Sequence, residues 1–424
     1  MKALLLSTED AGSGSTRAAY RLHRSFRAIG IDSRMLVQTK HSDDTTVIGS
    51  KSSSGAGQVV AGMRVVLDRL PLKLYRQREK SSYSLQWLPN KLTPAITQIN
   101  PDIVHLHWIC QGYLQIETLS QFQQPIVWTL RDMWAFTGGC HYNFDCEHYT
   151  NSCGSCPQLG SRQDWDLSRW VWKRKAKAWK NLNLTIVALS SWLADCAAAS
   201  SLFRDVRIEV IPNGIDTRQY RPFDRQLSRN LLNLPQDKQL ILFGAVNSTS
   251  DPRKGFHLLQ PALQNLRQLL PDDAVELIVF GASQPEKPPE LGFRCRYLGQ
   301  LNDDLSLALL YSAADVFVAP SIQENLANTV LEALACGLPC VAFAIGGMPD
   351  LIVHQQNGYL ATPYQIDDLT KGILWVMENQ ERHQRLSTSA RQRIEQSFTM
   401  ETPARRYLSL FNDLLSAKSY SGAK

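Results

Sequence analysis

The feature that most constrains the fold is an alternation met twice along the chain. A short apolar run is followed by a glycine-rich or polar turn, then a segment with helical spacing, then another apolar run. In the first round Lys2–Ser7 reads as a buried strand and Gly12, Ser13, Gly14, Ser15 and Thr16 as the turn. Arg17–Ile29 follows as a helix with Ala18, Leu22, Phe26 and Ile29 on one face, Gly30 ends it, and Ser33–Val37 is the next strand. Ile103–Leu106, Ile126–Leu130, Val187–Leu189 and Ile208–Ile211 continue the set. Pro212-Asn213-Gly214 is a turn, and a second round begins. Its strands are Gln239–Gly244, Glu276–Phe280, Val316–Ala319 and Cys340–Ala344, and its helices Gly255–Leu270, Asp304–Ser312, Thr329–Cys336 and Asp367–Asn379. Such alternation calls for parallel sheets with helices on both faces. We expect an α/β protein of two Rossmann-like, doubly wound domains facing across a cleft, with ligands at the carboxyl ends of the strands. The expected boundaries are 1–215 and 216–398, with 399–424 as a terminal helical segment.

The 424 residues suffice for two such cores, and no apolar run is long enough to span a bilayer. The apolar start Ala3–Leu6 is too short for a signal peptide, so a cytoplasmic protein is expected. Residues 1–223 carry 27 Lys+Arg against 18 Asp+Glu, a net of +9, whereas 224–424 carry 18 against 21, a net of −3. A basic first half suggests a phosphate-rich partner or an anionic membrane at the inner face, and equally a solvated basic surface; nothing points to nucleic acid. Ser50–Gly57 reads as a flexible loop. Two basic stretches follow, Gln58–Lys80 interrupted by Pro71, and Arg169–Lys180 with Trp170, Trp172 and Trp179. Either suits lipid headgroups; the favoured expectation is that both pack their apolar residues inward.

The most informative segment is Pro320 to Gly347. A strand ends at Pro320-Ser321, Glu324 lies in the following loop, Asn328 is placed to cap a helix, and Glu332 sits one turn inside that helix. Backbone N–H groups at such a helix start favour a pyrophosphate, and a neighbouring carboxylate can accept from a sugar or ribose diol. Pro320-Ser321, Glu324, Glu332-Ala333, Ala335-Cys336-Gly337, Pro339 and Gly346-Gly347 stand in order within one β/α/β unit. This array resembles the donor site of family 4 glycosyltransferases, which have the two-domain GT-B fold.

The resemblance implies roles for individual residues. Glu332 would bind the nucleotide ribose and Glu324 the donor sugar's hydroxyls. Asn325, Leu326 and Ala327 replace a family Gly-Phe-Gly-like run whose amides bind phosphate. Gly346 and Gly347 make a second close backbone approach, with Asp350 where the family usually has Glu, and Leu298, within Arg296–Gly299, lies where the base is contacted. Lys254-Gly255 matches a phosphate-binding turn; Ala245 stands where the family has Arg, and Arg253 is the substitute. Cations here would receive charge on the departing diphosphate. The N-terminal turn with Gly14 and Arg17 resembles the family's glycine loop beside phosphates and acceptor. In Trp128-Thr129-Leu130-Arg131-Asp132, Arg131 takes the place of a family histidine that backs the reaction centre, leaving charge stabilisation rather than proton transfer as its role. His107 and Asp132 are the acceptor-side candidates, although a buried structural role for His105 and His107 is equally open. The last helix, Glu401–Leu415, is of the kind that returns to the first domain in this fold.

Cys140, Cys146, Cys153 and Cys156 lie in a loop spanning 137–160. Their spacing suits a structural zinc, favoured over reduced thiols, with His141 and His148 as alternative ligands. Thr137-Gly138-Gly139-Cys140-His141-Tyr142 resembles a segment of a polysaccharide-related subgroup of the family. The implied activity is retaining transfer of a hexose-type sugar from a UDP-, GDP- or ADP-sugar to a glycan or lipid-linked acceptor, with no cofactor required for transfer. A nucleotide-sugar binder without turnover, motivated by Arg131 and Ala245, and a membrane-associated scaffold are the rivals.

Overall fold

The computed structural model describes residues 1–49, 55–245, 249–271, 273–301 and 303–421. Of the loop expected over Ser50–Gly57, 50–54 lie outside the described residues, and Gly55 already opens a helix. The chain divides into two compact units, Met1–Pro212 with Pro403–Lys424, and Asn213–Thr402.

The first unit is built on a seven-stranded parallel sheet: β1 Lys2–Glu9, β2 Asp32–Thr39, β3 Val47–Gly49, β4 Ile103–Leu106, β5 Ile126–Leu130, β6 Leu184–Ala188 and β7 Arg207–Val210, in the order β3-β2-β1-β4-β5-β6-β7. The second has six parallel strands: β8 Gln239–Gly244, β9 Val275–Phe280, β10 Arg294–Tyr297, β11 Val316–Ala319, β12 Cys340–Phe343 and β13 Gly358–Ala361, ordered β10-β9-β8-β11-β12-β13. Each is doubly wound. Strand order reverses between β1 and β4 in one sheet and between β8 and β11 in the other, and crevices for ligands form at such reversals.

The helices that matter below are α1 Gly14–Ala28, α2 Gly55–Asp68, α3 Leu167–Trp179, α4 Phe256–Arg267, α5 Asn328–Ala335 and α6 Glu401–Ser421. Helix α1 starts three residues earlier than its apolar spacing suggests, because Ser13 caps it in a reciprocal box with Thr16. Gly14 therefore stands in the first helical turn rather than in a free loop. Helix α6 belongs to the first unit. Its Ala404, Tyr407, Leu410 and Phe411 are buried with Leu5, Phe26, Ile103 and Val127 in one core of that sheet. Among the described residues no helix is long and apolar enough to cross a membrane.

Candidate active site

In the second unit the loops after β8 and β11 carry the residues that the sequence singles out. The first forms a turn, Pro252–Lys254, capped by Asp251, whose carboxylate accepts from the Arg253 N–H at 3.0 Å. Gly255 then turns with φ +74 and seeds α4. A side chain there is excluded: an added Cβ would lie 1.8 Å from the Pro320 carbonyl oxygen. The two loops are further stitched by the Ile322 N–H donating to the Arg253 carbonyl at 2.9 Å.

This contact brings cations and carboxylate together. Lys254 Nζ donates to Glu324 Oε2 at 2.6 Å, and Arg253 Nη1 reaches the same oxygen at 3.3 Å and the Gln323 carbonyl at 3.2 Å. Glu324 is buried, whereas the Lys254 and Arg253 side chains keep 18% and 17% exposure, so both cations can be met from solvent. Burial alone would raise the Glu324 carboxyl, but the charges of Lys254 and Arg253 and the lysine's hydrogen bond outweigh it and hold it at about 2. The Glu324 backbone is fixed as well. The Gly347 N–H donates to its carbonyl at 3.1 Å, and at Gly346, where φ is +50, a Cβ would stand 2.0 Å from that oxygen. Gly346-Gly347 thus acts on Glu324 itself.

Helix α5 follows at once. Its N-cap is Ala327, and no side chain caps it. Asn328, expected as the cap, instead pairs through Oδ1 with Asn213 Nδ2 at 3.0 Å. Asn325, Leu326 and Ala327 are buried at this helix start. Glu332 is buried one turn on and accepts from Tyr311 Oη at 3.2 Å. Tyr311 escaped sequence reading because a tyrosine on a mostly apolar helix looks like ordinary core. Leu298 sits apart, just after the edge strand β10, its N–H committed to the Val279 carbonyl at 2.8 Å; Arg296 is turned to Glu276 and the Asn233 carbonyl.

The first unit places its candidates differently. Gly14 is exposed and Arg17 half-buried at the start of α1. Arg131 Nη2 donates to His107 Nδ1 at 2.9 Å, and both residues are buried. Burial lowers the Arg131 guanidinium to about 10. Burial, then the neighbouring His105 and Arg131, push His107 well below its ordinary value. His105, lowered to about 3 by burial and Arg131, joins Thr129 Oγ1 at 2.8 Å, which shares a 2.6 Å hydrogen bond with Tyr407 Oη of α6. Both histidines are therefore neutral at physiological pH. Asp132 accepts from Trp108 Nε1, the Trp134 N–H and His141 Nδ1 at 2.9, 2.9 and 2.6 Å. These bonds make it an organiser of its loop.

The four cysteines line one cavity with Tyr83, His148 and Ser168. Burial raises all four thiols, Cys153 to about 12 and Cys156 to about 11. Among the described residues no three His, Cys, Asp or Glu side chains stand as a set that would hold a metal. Lys175 of α3 is fully buried beneath the loop, donating to the Trp134 and Thr137 carbonyls and lying 3.6 Å from the centre of the Trp134 ring.

Comparison with known proteins follows the same division. Residues 12–219 match the model for glycosyltransferase family 4, and residues 224–393 that for glycosyl transferases group 1. A D-inositol 3-phosphate glycosyltransferase of Segniliparus rotundus is 30% identical over 165 residues, 36% of this chain and 35% of that protein. Across the first such curated relatives, the chain spans 35% to 63% of their length. A sucrose-phosphate synthase from Thermosynechococcus elongatus has the same fold, with a TM-score of 0.71 at 18% identity over 98% of this chain and 100% of that one. So does Anabaena HepE in complex with UDP-glucose, at TM-score 0.62 and 19% identity over 98% and 100% of the two chains.

Proposed function

Because the chain is a glycosyltransferase of the GT-B type, a family 4 domain followed by a group 1 domain, we propose that it moves a hexose-type sugar from a nucleoside diphosphate sugar to a glycan or lipid-linked acceptor. The setting we propose is exopolysaccharide or cell-surface glycan assembly, and the course is retaining. The single observation that carries the donor reading is the Lys254–Glu324–Arg253 cluster at the β8/β11 reversal, beside a helix start that no side chain caps. Two part-exposed cations sharing one carboxylate are suited to exchange that partner for a diphosphate.

In the transfer the bond from the anomeric carbon to the phosphate oxygen breaks. The acceptor oxygen bonds to the same face of that carbon, and its proton passes to the departing phosphate. Lys254 and Arg253 take up the negative charge that gathers there, Glu324 meets the sugar hydroxyls, and Glu332, oriented by Tyr311, accepts from the ribose diol. No step requires a base in the first unit, which accords with neutral, buried His107. Arg131 acts as a fixed positive charge. The uridine nucleotide is favoured among UDP, GDP and ADP by the UDP-glucose complex of an Anabaena protein of this fold.

Thermal-shift screening of UDP, GDP, ADP and their sugars identifies the donor, since a ligand that binds only the folded state raises Tm. A radiolabelled-donor assay then reads transfer. Tight binding with neither transfer nor hydrolysis would leave a nucleotide-sugar binder; undiminished transfer in both Lys254→Ala and Glu332→Ala would sink the site.

A further inference from the structure

The sequence leads one to expect both basic stretches to pack inward, and the structure separates them. In α3, Trp179 and Lys175 are buried as expected and Trp172 is half-buried, although Trp170 stays exposed. Helix α2 and the turn Leu70–Leu74 that follows do the reverse. Val59, Met63, Val66 and Leu67 share one face of α2 by helical spacing, and they and Leu70 and Leu74 of the turn are all exposed, from 44% at Leu67 to 81% at Leu74. Seven of the sixteen exposed large hydrophobic residues among the described residues fall between 59 and 74.

The helix is held to its domain by its polar side. Arg64 Nε donates to the Gly112 carbonyl at 2.8 Å and Nη2 to the Pro89 carbonyl at 2.8 Å. Buried Asp68 accepts from the Leu85 and Trp87 N–H groups at 3.1 and 3.4 Å. An amphipathic helix docked by its charges, apolar side outward, is built for a second apolar environment. The chemistry of that environment follows from the border. Arg69, Lys73, Arg76 and Lys80 are exposed around the stripe, while of the acids in this stretch Asp68 is buried and Glu79 alone is exposed. A second copy of the chain related by two-fold symmetry would set these cations against themselves. An anionic bilayer offers an apolar interior under a negative surface.

We propose that Val59–Leu74 is a membrane-docking element that lies in the headgroup plane of anionic bilayers, apolar stripe inward and the flanking cations on lipid phosphates. This stands on the first unit alone and does not depend on the donor chemistry. The test is flotation of the full chain with vesicles of phosphatidylcholine, or of phosphatidylcholine mixed with phosphatidylglycerol, at low and high salt. The protein is expected to float with the anionic vesicles and to be released by salt. A Met63→Asp/Val66→Asp/Leu70→Asp variant and a Lys73→Glu/Arg76→Glu variant should each bind at least about tenfold more weakly. Retained thermal shift with the donor nucleotide shows that both variants are folded. Three results would overturn the proposal: no flotation of the unaltered chain, flotation unchanged in both variants, or a dimer in solution that the apolar-to-Asp variant dissolves.

Discussion

The two crevices hold equivalent places in their sheets but are furnished in opposite ways. At the β8/β11 reversal two cations remain part-exposed around one buried carboxylate. Beside the β1/β4 reversal Arg131 is itself buried and spends a hydrogen bond on a neutral histidine. Doubly wound topology decides where a ligand can sit; it does not decide whether solvent-accessible charge waits there. On the proposed transfer, charge neutralisation falls to the second unit and a fixed electrostatic background to the first.

The sharpest way to break this comparison is to remove one cation from each crevice. Lys254→Ala should lower kcat/KM for transfer by about 10²–10³, the usual cost of losing one preorganised charge-stabilising group. Arg131→Met should cost less; a larger loss would reverse the assignment. Next, Glu332→Ala should raise the donor KM roughly 10- to 100-fold with a smaller change in kcat, as for loss of hydrogen bonds to a charged acceptor. Gly346→Ala meets both a positive φ and the Glu324 carbonyl, so the unfolding free energy should drop by about 1–3 kcal/mol, read from denaturant unfolding, and donor affinity should fall with it.

The acid response sharpens the same contrast. Glu324 is held at about 2 against its usual 4.5, so the unfolded chain binds more protons than the folded one between those values. The cluster's contribution to stability is complete above about 4.5 and is lost as the pH falls toward 2, a loss that Glu324→Gln should abolish in acid-unfolding curves. The smallest effect is expected at the cysteine cavity: Cys153→Ser should lower Tm by a few degrees, roughly 1 kcal/mol in a domain of this size. Elemental analysis alongside separates a metal staple, at about one zinc per chain, from buried thiols.

The sequence was most legible where burial is two-sided. Central strands such as β4, β5, β8 and β11 stand as largely apolar runs, and their limits were read to the residue. The three strands missed, β3, β10 and β13, are all sheet edges, where one neighbour is absent and the apolar run is short or mixed with charge. At the site, Lys254, Glu324, Glu332 and Gly346-Gly347 were singled out through the family resemblance, and the structure brings Lys254 and Gly346-Gly347 onto Glu324. Tyr311 was not, since its tie to Glu332 joins two helices and leaves no local pattern. The outward face of α2 was hidden for a related reason. Periodicity reports that a helix has an apolar side; the direction that side faces was set here by Arg64 and Asp68, whose partners lie between 17 and 48 residues away.

Helix α6 gives the chain an order of assembly. The first unit contains residues 1–212 and 403–424, so a ribosome delivers the whole second unit before the first can be finished. Until then His105, Thr129 and Phe26 lack the Tyr407 and Phe411 side chains that cover them. The nascent first unit is an incomplete core facing water, while the second, continuous in sequence, can close on its own. Residues 1–212, made before α6, are therefore among the last to reach their native packing, and a truncation ahead of α6 would damage a domain whose sheet lies about 200 residues upstream.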